Sequence, residues 1–182
     1  MILCFINCLF QTMTMNDVIL RPWRREDARQ LVNIANNKNI WNNLRDSIPF
    51  PYTLKDAEQW IAHCAKQKPV LNFAVLYKSA LAGSIGCVPK TDVYRKTMEI
   101  GYFIGEQYWN LGIGTAAIRV LVNYIEKQFD VVRVYAEVYE HNRASMHVLR
   151  KNGFYLEGIR RKNAIKNNVL LDDYVWVKLL QG

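Results

Sequence analysis

The spacing of apolar residues along the chain follows two periods, and each period predicts one kind of element. Apolar residues three and four apart, the spacing of one helix face, predict helices over residues 26–36, from Thr53 onward, over 111–128 and over 144–152. Short apolar stretches bounded by turn residues predict seven strands, at 18–23, 71–77, 82–88, 97–104, 131–139, 154–159 and 170–179. Residues 36–51 are rich in Asn and Pro and predict a loop or short helical turns.

Two helix ends carry signals of their own. Thr53 stands three residues before Asp56, a spacing at which each side chain accepts a hydrogen bond from the other residue's backbone N–H. Gly153 predicts the end of the fourth helix, because glycine readily adopts the left-handed conformation that follows many helices. The face of the helix from Thr53 that we expect to be buried consists of Ala57, Trp60, Ile61 and Cys64.

The order of these elements predicts the fold class. One strand is followed by helices, several strands, a helix, a strand, a helix and two strands. This mixture predicts an α/β fold around a mixed sheet. The 182 residues suffice for one compact domain, and no internal repeat, low-complexity tract or linker divides the chain. We therefore expect a single α/β domain.

The chain is basic, with a formal net charge of +8. A basic balance favours anionic partners, which include nucleic acid, an acidic membrane surface and a phosphate-rich cofactor. Alternatively, the excess lysines and arginines are scattered and only maintain solubility. The sequence has no RGG tract, no helix-turn-helix pattern and no basic strand interleaved with aromatic residues, which argues against a nucleic-acid-binding domain.

The cysteines bear on metal binding and compartment, and the first residues bear on membrane insertion and secretion. Cys4, Cys8, Cys64 and Cys87 have no CxxC or Cys/His ligand spacing, so we expect no metal, and reduced thiols in a cytoplasmic protein. The first ten residues, MILCFINCLF, are too short to span a bilayer and lack the basic start and cleavage site of a secretory signal. We expect residues 1–14 to be an upstream extension or a disordered leader, and residues 15–182 to form the domain.

A glycine-containing turn, WNLGIGT at residues 109–115, joins a predicted strand to the strongest predicted helix. Gly112 and Gly114 let the backbone approach a ligand closely. The first N–H groups of a helix are unpaired and carry partial positive charge, so such a turn can bind a phosphate or pyrophosphate. The alternative is a plain tight turn. No Gly-Lys-Ser/Thr follows it, which excludes a Walker loop, and the third glycine of a dinucleotide-binding fingerprint is missing.

The residues around this turn resemble a known family. Residues 99–117, EIGYFIGEQYWNLGIGTAA, resemble the strand, turn and helix of GNAT acetyltransferases, whose turn reads Q/R-x-x-G-x-G/A. Trp109 replaces the Gln or Arg, as in the branch similar to the RimJ and RimL N-terminal acetyltransferases. Residues 142–154, NRASMHVLRKNGF, resemble the family's N-x-x-S…K-x-G-F element. Weaker matches are LRP at 20–22 with IPFPYT at 48–53, and GIR at 158–160 with DDY at 172–174.

The resemblance implies a fold and a co-substrate. The fold would be a mixed, mostly antiparallel, twisted sheet of six to seven strands with flanking helices, in which strands 97–104 and 131–139 splay apart. The co-substrate would be acetyl-CoA. The pantetheine arm would bind the strand amides of Phe103 and Ile104 and the side chain of Asn142. The pyrophosphate of CoA would bind the backbone N–H groups of Leu111, Gly112, Ile113, Gly114 and Thr115.

The proton source for the leaving thiolate follows from the same resemblance. Many members of the family use a tyrosine in the helix after residue 142, but this chain has Val148 and Leu149 there. The resemblance therefore assigns the role to Ser145, where an ordinary first-turn serine is the alternative. Asn142 would also cap this helix, a position that Asn favours.

The general base is sought among the acids near the splayed strands. Glu99 is the first candidate and Glu137, on the opposite strand, the second; Glu140 and His141 follow. Strand acids are often solvent-facing or ion-paired instead. In the ribosomal branch an acid follows the Gly-Phe motif, and counting along this chain reaches residues 163–164, an Asn and an Ala that cannot act as bases. Because an α-amino group has a pKa near ~7.7–8.0 against ~10.4 for Lys, this departure favours an α-amine or another amine of low pKa as acceptor.

We therefore expect an acetyl-CoA-dependent N-acetyltransferase that moves the acetyl group directly onto a primary amine, such as a protein or peptide N-terminus. Residues 41–52 form the loop expected to recognise the acceptor. Small amines such as antibiotics or polyamines are alternative acceptors, and a non-catalytic CoA-binding regulatory module is the alternative function. A monomer and a homodimer are both compatible with the sequence.

Overall fold

A computed structural model describes residues 13–15 and 17–181. They form one sheet of eight strands with helices on both faces. The strands are β1 Met13–Met15, β2 Val18–Pro22, β3 Asn72–Tyr77, β4 Ala80–Pro89, β5 Thr97–Ile104, β6 Arg133–Tyr139, β7 Tyr155–Lys166 and β8 Val169–Leu179. The helices are α1 Ala28–Ala35, α2 Lys38–Trp41, α3 Leu54–Cys64, α4 Ile113–Gln128 and α5 Arg143–Lys151, and short 3-10 turns lie at Arg25–Asp27, Asp92–Tyr94 and Glu106–Tyr108.

The strand order is β1-β2-β3-β4-β5-β6-β8-β7, and every neighbouring pair is antiparallel except β5 and β6. The parallel pair has three matched positions, which end at Glu99 and Tyr135. Beyond these residues the two strands separate. The predicted mixed α/β sheet with splayed central strands is therefore confirmed.

The sheet has one strand more than predicted, because β1 pairs with β2 from Met13 to Met15. Of the predicted leader, residues 1–14, the first twelve lie outside the described residues, and residues 13 and 14 belong to β1. Strand β7 runs to Lys166, well beyond the predicted end at 159. Most of its side chains are exposed, so it lacks the apolar alternation from which a strand can be predicted.

The core lies in two layers, one on each face of the sheet. Helices α4 and α5 cover one face, where Ile118, Leu121 and Ile125 of α4 are fully buried. Helices α1 and α3 cover the other face. The capping box at the start of α3 is confirmed, and Gly153 has the left-handed φ of +80° predicted for it. In the described part of the chain, no helix is long and apolar enough to cross a bilayer.

Candidate functional site

A cavity of about 850 Å³ lies where β5 and β6 separate. Successive side chains of a strand point to opposite faces of the sheet, so the gap opens toward both helical layers. Tyr102 and Ser145 line it on the side of α4 and α5, and Glu99 lines it on the side of α1 and α3. The cavity therefore connects the two faces of the sheet.

The glycine turn stands at the start of α4, beside this gap. Gly112 is the residue before the helix and has a φ of +75°, and no side chain caps the helix. Within the described residues, no hydrogen-bond partner is found for the backbone N–H groups of residues 113–115. The N-terminus of this 16-residue helix thus presents several free donors, the arrangement that binds anions.

Two further contacts fix the turn. The Trp109 indole N–H donates to the Ile104 carbonyl at 2.7 Å, which ties the turn to the end of β5. A Cβ on Gly114 would lie 3.3 Å from the Tyr102 ring, so glycine allows α4 to approach β5 closely. The residue that replaces the family's Gln or Arg therefore anchors the turn through its indole.

Gly112→Ala tests the left-handed turn. A Cβ at this position would have no heavy atom within 4 Å, so the cost comes from the positive φ alone. We expect a loss of about 1–2 kcal/mol in the free energy of unfolding, together with weaker CoA binding. Chemical denaturation and calorimetric titration of CoA measure the two effects. Gly158→Ala is the matched control, because its Cβ is equally unobstructed and its φ is not positive; an equal loss in both variants would contradict the argument.

Along β5, the backbone N–H and C=O groups of every second residue point toward the gap. The Gly105 N–H bonds back to β4 at 2.8 Å, whereas the Lys96 carbonyl accepts from β6 at 3.3 Å. Because backbone groups alternate in direction along a strand, Phe103 turns its N–H toward β4 and Ile104 turns its own toward the gap. Of the two strand amides expected to bind the pantetheine arm, Ile104 is thus directed into the gap, and Tyr102 is directed there as well.

A pair of hydroxyl groups lines the cavity. The Tyr102 hydroxyl donates to Ser145 Oγ at 3.2 Å. Burial raises the pKa of Tyr102 to about 12, so its hydroxyl stays protonated at neutral pH. Asn142 caps α5 as expected, since its Oδ1 accepts from the Ser145 N–H at 3.1 Å. Sequence reasoning missed Tyr102, although alternation along β5 from Met98 places its side chain on the α4 side.

Glu99, the first predicted base, is buried in a network of positive groups. It accepts hydrogen bonds from Arg45, from Lys90 at 2.7 Å and from the Tyr135 hydroxyl at 3.1 Å. Burial alone would raise its pKa, but the hydrogen bond from Lys90 and the charges of Arg45 and Lys90 lower the pKa below its ordinary value. A carboxylate stabilised in this way accepts a proton weakly.

The other predicted acids are also engaged. Glu137 contacts Arg160 at 2.5 Å and Arg45 at 3.2 Å, so one guanidinium bridges Glu99 and Glu137. Glu140 accepts from the Asp172 backbone N–H at 3.3 Å. The structure thus brings Glu99 and Glu137 to the same cavity, each in an ion pair. It also places there Asp173, an acid that the sequence did not single out.

The loop after α2 forms a wall of the cavity and is held by the β7–β8 hairpin. Lys166 lies 2.6 Å from Asp46, and its Nζ stands 3.4 Å from the centre of the Trp41 ring. The Trp41 indole in turn donates to the Ile48 carbonyl at 2.9 Å. The loop predicted to recognise the acceptor therefore has a defined conformation at the cavity.

The described residues contain neither a cluster of metal ligands nor an activated thiol. No cluster of three or more His, Cys, Asp or Glu side chains in that part of the chain could hold a metal ion. Cys64 and Cys87 are free and buried, and burial raises the pKa of each thiol to about 12. Neither thiol is therefore activated as a nucleophile.

Comparison with known proteins agrees with this geometry. A family model described as an acetyltransferase (GNAT) domain matches residues 17–155. The probable N-acetyltransferase YjcK of Bacillus subtilis is 38% identical over 94 residues, which are 50% of this chain and 52% of that protein. The chain thus matches about half of that relative's length. The spermidine N(1)-acetyltransferase of Escherichia coli K12 is 26% identical over 143 residues, 79% of this chain and 75% of that protein.

Among solved structures, the ribosomal α-N-protein acetyltransferase RimL in complex with coenzyme A superimposes with a TM-score of 0.81. The match covers 93% of this chain and 98% of that one at 17% identity, which establishes the shared fold. The family match covers the splayed strands and α5, which line the cavity, and the glycine turn beside it. The chain belongs to the GNAT acetyltransferases and is an acetyl-transferring enzyme.

Proposed function

We propose that the protein uses acetyl-CoA to acetylate a primary amine by direct transfer. The observation that carries the proposal is the cavity between β5 and β6, which connects the glycine turn side of the sheet with a group of acidic side chains on the other side. A thioester donor and an amine acceptor could thus approach each other from opposite faces.

The residues present fit CoA in three places. The free N–H groups at the start of α4 suit its pyrophosphate. The gap-directed amides of Tyr102 and Ile104 suit the pantetheine arm, as does the Asn142 side chain at the cavity. Acetyl-CoA would supply an acetyl group activated as a thioester.

The chain's own groups can support each requirement of the transfer. The gap-directed amides of β5 are the donors available to an oxyanion on the carbonyl oxygen. In this proposal Ser145, which receives a hydrogen bond from Tyr102, donates a proton to the leaving sulfur. The sequence indicates Glu99 and Glu137 as candidates for the base, but their ion pairs with Arg45 favour a role in charge recognition instead.

The charges of the cavity support a positively charged acceptor. The lining contains one basic side chain, Arg45, against the four acids Asp56, Glu99, Glu137 and Asp173, although the chain as a whole has a net charge of +8. Lys90 and Arg160 also pair with Glu99 and Glu137 from outside the lining, so the acids exceed these bases by one, and this excess attracts an ammonium group. A protein or peptide N-terminus fits this chemistry, and so does a polyamine, the acceptor named for the Escherichia coli relative.

A thiol-release assay with acetyl-CoA tests the proposal. The acceptors are a peptide with a free N-terminus, spermidine and kanamycin, each beside its fully N-acetylated form as a matched control. We expect turnover with at least one free amine and none with the blocked forms, and calorimetry should detect CoA binding. CoA binding without turnover on any amine would favour the non-catalytic module, and absence of CoA binding would contradict the proposal altogether.

A further inference from the structure

Asp173 of β8 is a buried carboxyl group with one free oxygen. It lies opposite Tyr139 of β6, and its side chain is 4% exposed. Its Oδ2 accepts a hydrogen bond from the Asn163 amide at 3.2 Å and lies 3.8 Å from Arg160 Nη1. Its Oδ1 is buried and has no hydrogen-bond partner among the described residues. Asp173 also lines the cavity between β5 and β6.

A buried carboxylate oxygen without a partner is costly, because desolvation of the charge is not compensated. Such an atom in a native structure calls for a ligand or a chemical role. The cavity beside it is the place where the acceptor amine must meet the thioester. Oδ1 has almost no exposed surface in this structure, so a small rotation of the carboxylate toward the cavity would be needed to bring it to an ammonium N–H, which would supply the hydrogen bond that Oδ1 lacks.

The groups around Asp173 make it a better base than Glu99. Burial and the charge of Glu137 on β6 raise the pKa of Asp173. The Asn163 hydrogen bond from β7 and the charges of Arg160 on β7 and Arg45 in the loop oppose this rise without cancelling it. Tyr139 on β6 also faces Asp173, with its own pKa raised mainly by burial. The pKa of Glu99, by contrast, is lowered.

We propose that Asp173 is the proton acceptor of the reaction, an inference that rests on the proposed function. After this rotation, Oδ1 takes one proton from the acceptor's ammonium group and passes it to water in the cavity. The freed nitrogen lone pair forms the bond to the acetyl carbonyl carbon, and the C–S bond breaks. As the C–S bond breaks, Ser145 gives its hydroxyl proton to the sulfur and regains a proton from the nitrogen, so that the products are the amide, the CoA thiol and the one proton released through Asp173. Asn163 positions the carboxylate through Oδ2 and leaves Oδ1 available.

The test is Asp173→Asn, assayed with spermidine and with a peptide that has a free N-terminus. We expect kcat/KM to fall by about 10²–10⁴-fold, the contribution typical of a general base, with unchanged CoA affinity. The activity that remains should rise with pH toward the pKa of the acceptor's own amine. Asp173→Glu should restore part of the activity. Asp172→Asn is the matched control, because that neighbouring acid pairs with Arg161 outside the cavity; it should keep the wild-type pH profile.

Stability separates this role from a structural one. Because the pKa of Asp173 is raised in the folded protein, ionisation of this group destabilises the fold as pH rises through that pKa. Asp173→Asn removes the charge, so at neutral pH the variant should unfold no more readily than the wild type. Near pH 3, below the ordinary Asp value of about 3.9, the stability difference should vanish.

The possible results separate failure of the Asp173 role from failure of the proposed acetyltransferase function. Turnover by the wild type together with an unchanged kcat and pH profile in Asp173→Asn would overturn the inference alone. Joint loss of activity and stability at neutral pH would also overturn it, in favour of a structural role. A wild-type protein that acetylates no amine would remove the proposed function and this inference with it.

Discussion

Ser145→Ala is expected to lower kcat by about 100-fold or more while leaving CoA affinity nearly unchanged. Ser145 Oγ lies in the cavity and accepts a hydrogen bond from the Tyr102 hydroxyl at 3.2 Å. A positioned proton donor contributes about 10²–10⁴-fold to a rate, and alanine removes this donor without creating a large void. Steady-state kinetics with acetyl-CoA and calorimetric titration of CoA measure the two quantities.

Two further variants define the role of the hydroxyl pair. Tyr102→Phe keeps the ring that packs against Gly114 and removes only the group that orients Ser145. We expect a smaller loss of kcat than in Ser145→Ala, since Ser145 keeps its own hydroxyl. His147→Ala, on the exposed side of the same helix, should retain wild-type kinetics. A Ser145→Ala enzyme with wild-type kcat would show that water or Tyr102 supplies the proton.

The order of elements and the glycine turn could be predicted from the sequence because their signals are local. The glycines of residues 109–115 precede an apolar helix face by a few positions, and the Thr53 and Asp56 side chains cap the helix that follows them. The family and the mixed sheet with splayed strands are confirmed on this basis. β7 was predicted too short because its exposed second half has no apolar period.

The sequence indicated Glu99 and Glu137, but the partners of these acids could not be predicted because the acidic half of the site is assembled from distant parts of the chain. Arg45 meets Glu99 across 54 positions and Glu137 across 92. These pairings depend on strand order and register, which periodicity does not determine. The same is true of Asp173, which pairing of β6 with β8 places opposite Tyr139. Net charge was equally uninformative, since the chain is basic but most of the charged side chains that line its cavity are acids.

Counting residues from the Gly-Phe motif does not locate an acid in this chain. The count along the chain reaches residues 163–164, and neither residue can accept a proton. In the folded protein, the Asn163 amide contacts the carboxylate of Asp173 at 3.2 Å. A neighbouring strand therefore brings a carboxylate to the position where the sequence offers only an amide.

Asp27→Ala is expected to reduce the free energy of unfolding by about 3–5 kcal/mol, the cost of removing one partner from a buried ion pair. Arg21 and Asp27 form two parallel hydrogen bonds of 2.7 Å, and their side chains are 13% and 6% exposed. Asp27 also accepts from the Arg24 backbone N–H at 2.8 Å. Alanine would leave the Arg21 guanidinium and this N–H without their partner. Urea denaturation at neutral pH measures the loss.

Glu26→Ala is the matched control, because Glu26 is exposed and lies 3.9 Å from Arg24. An exposed pair contributes about 0–1 kcal/mol, so the control should unfold nearly as the wild type does. The ion pair joins the end of β2 to the start of α1, whose Leu31 and Ala35 line the cavity. A loss below about 1 kcal/mol in Asp27→Ala would mean that water reaches Arg21 when its partner is removed. The expected larger loss would instead show that this ion pair helps to hold α1, with its two cavity-lining residues, against the sheet.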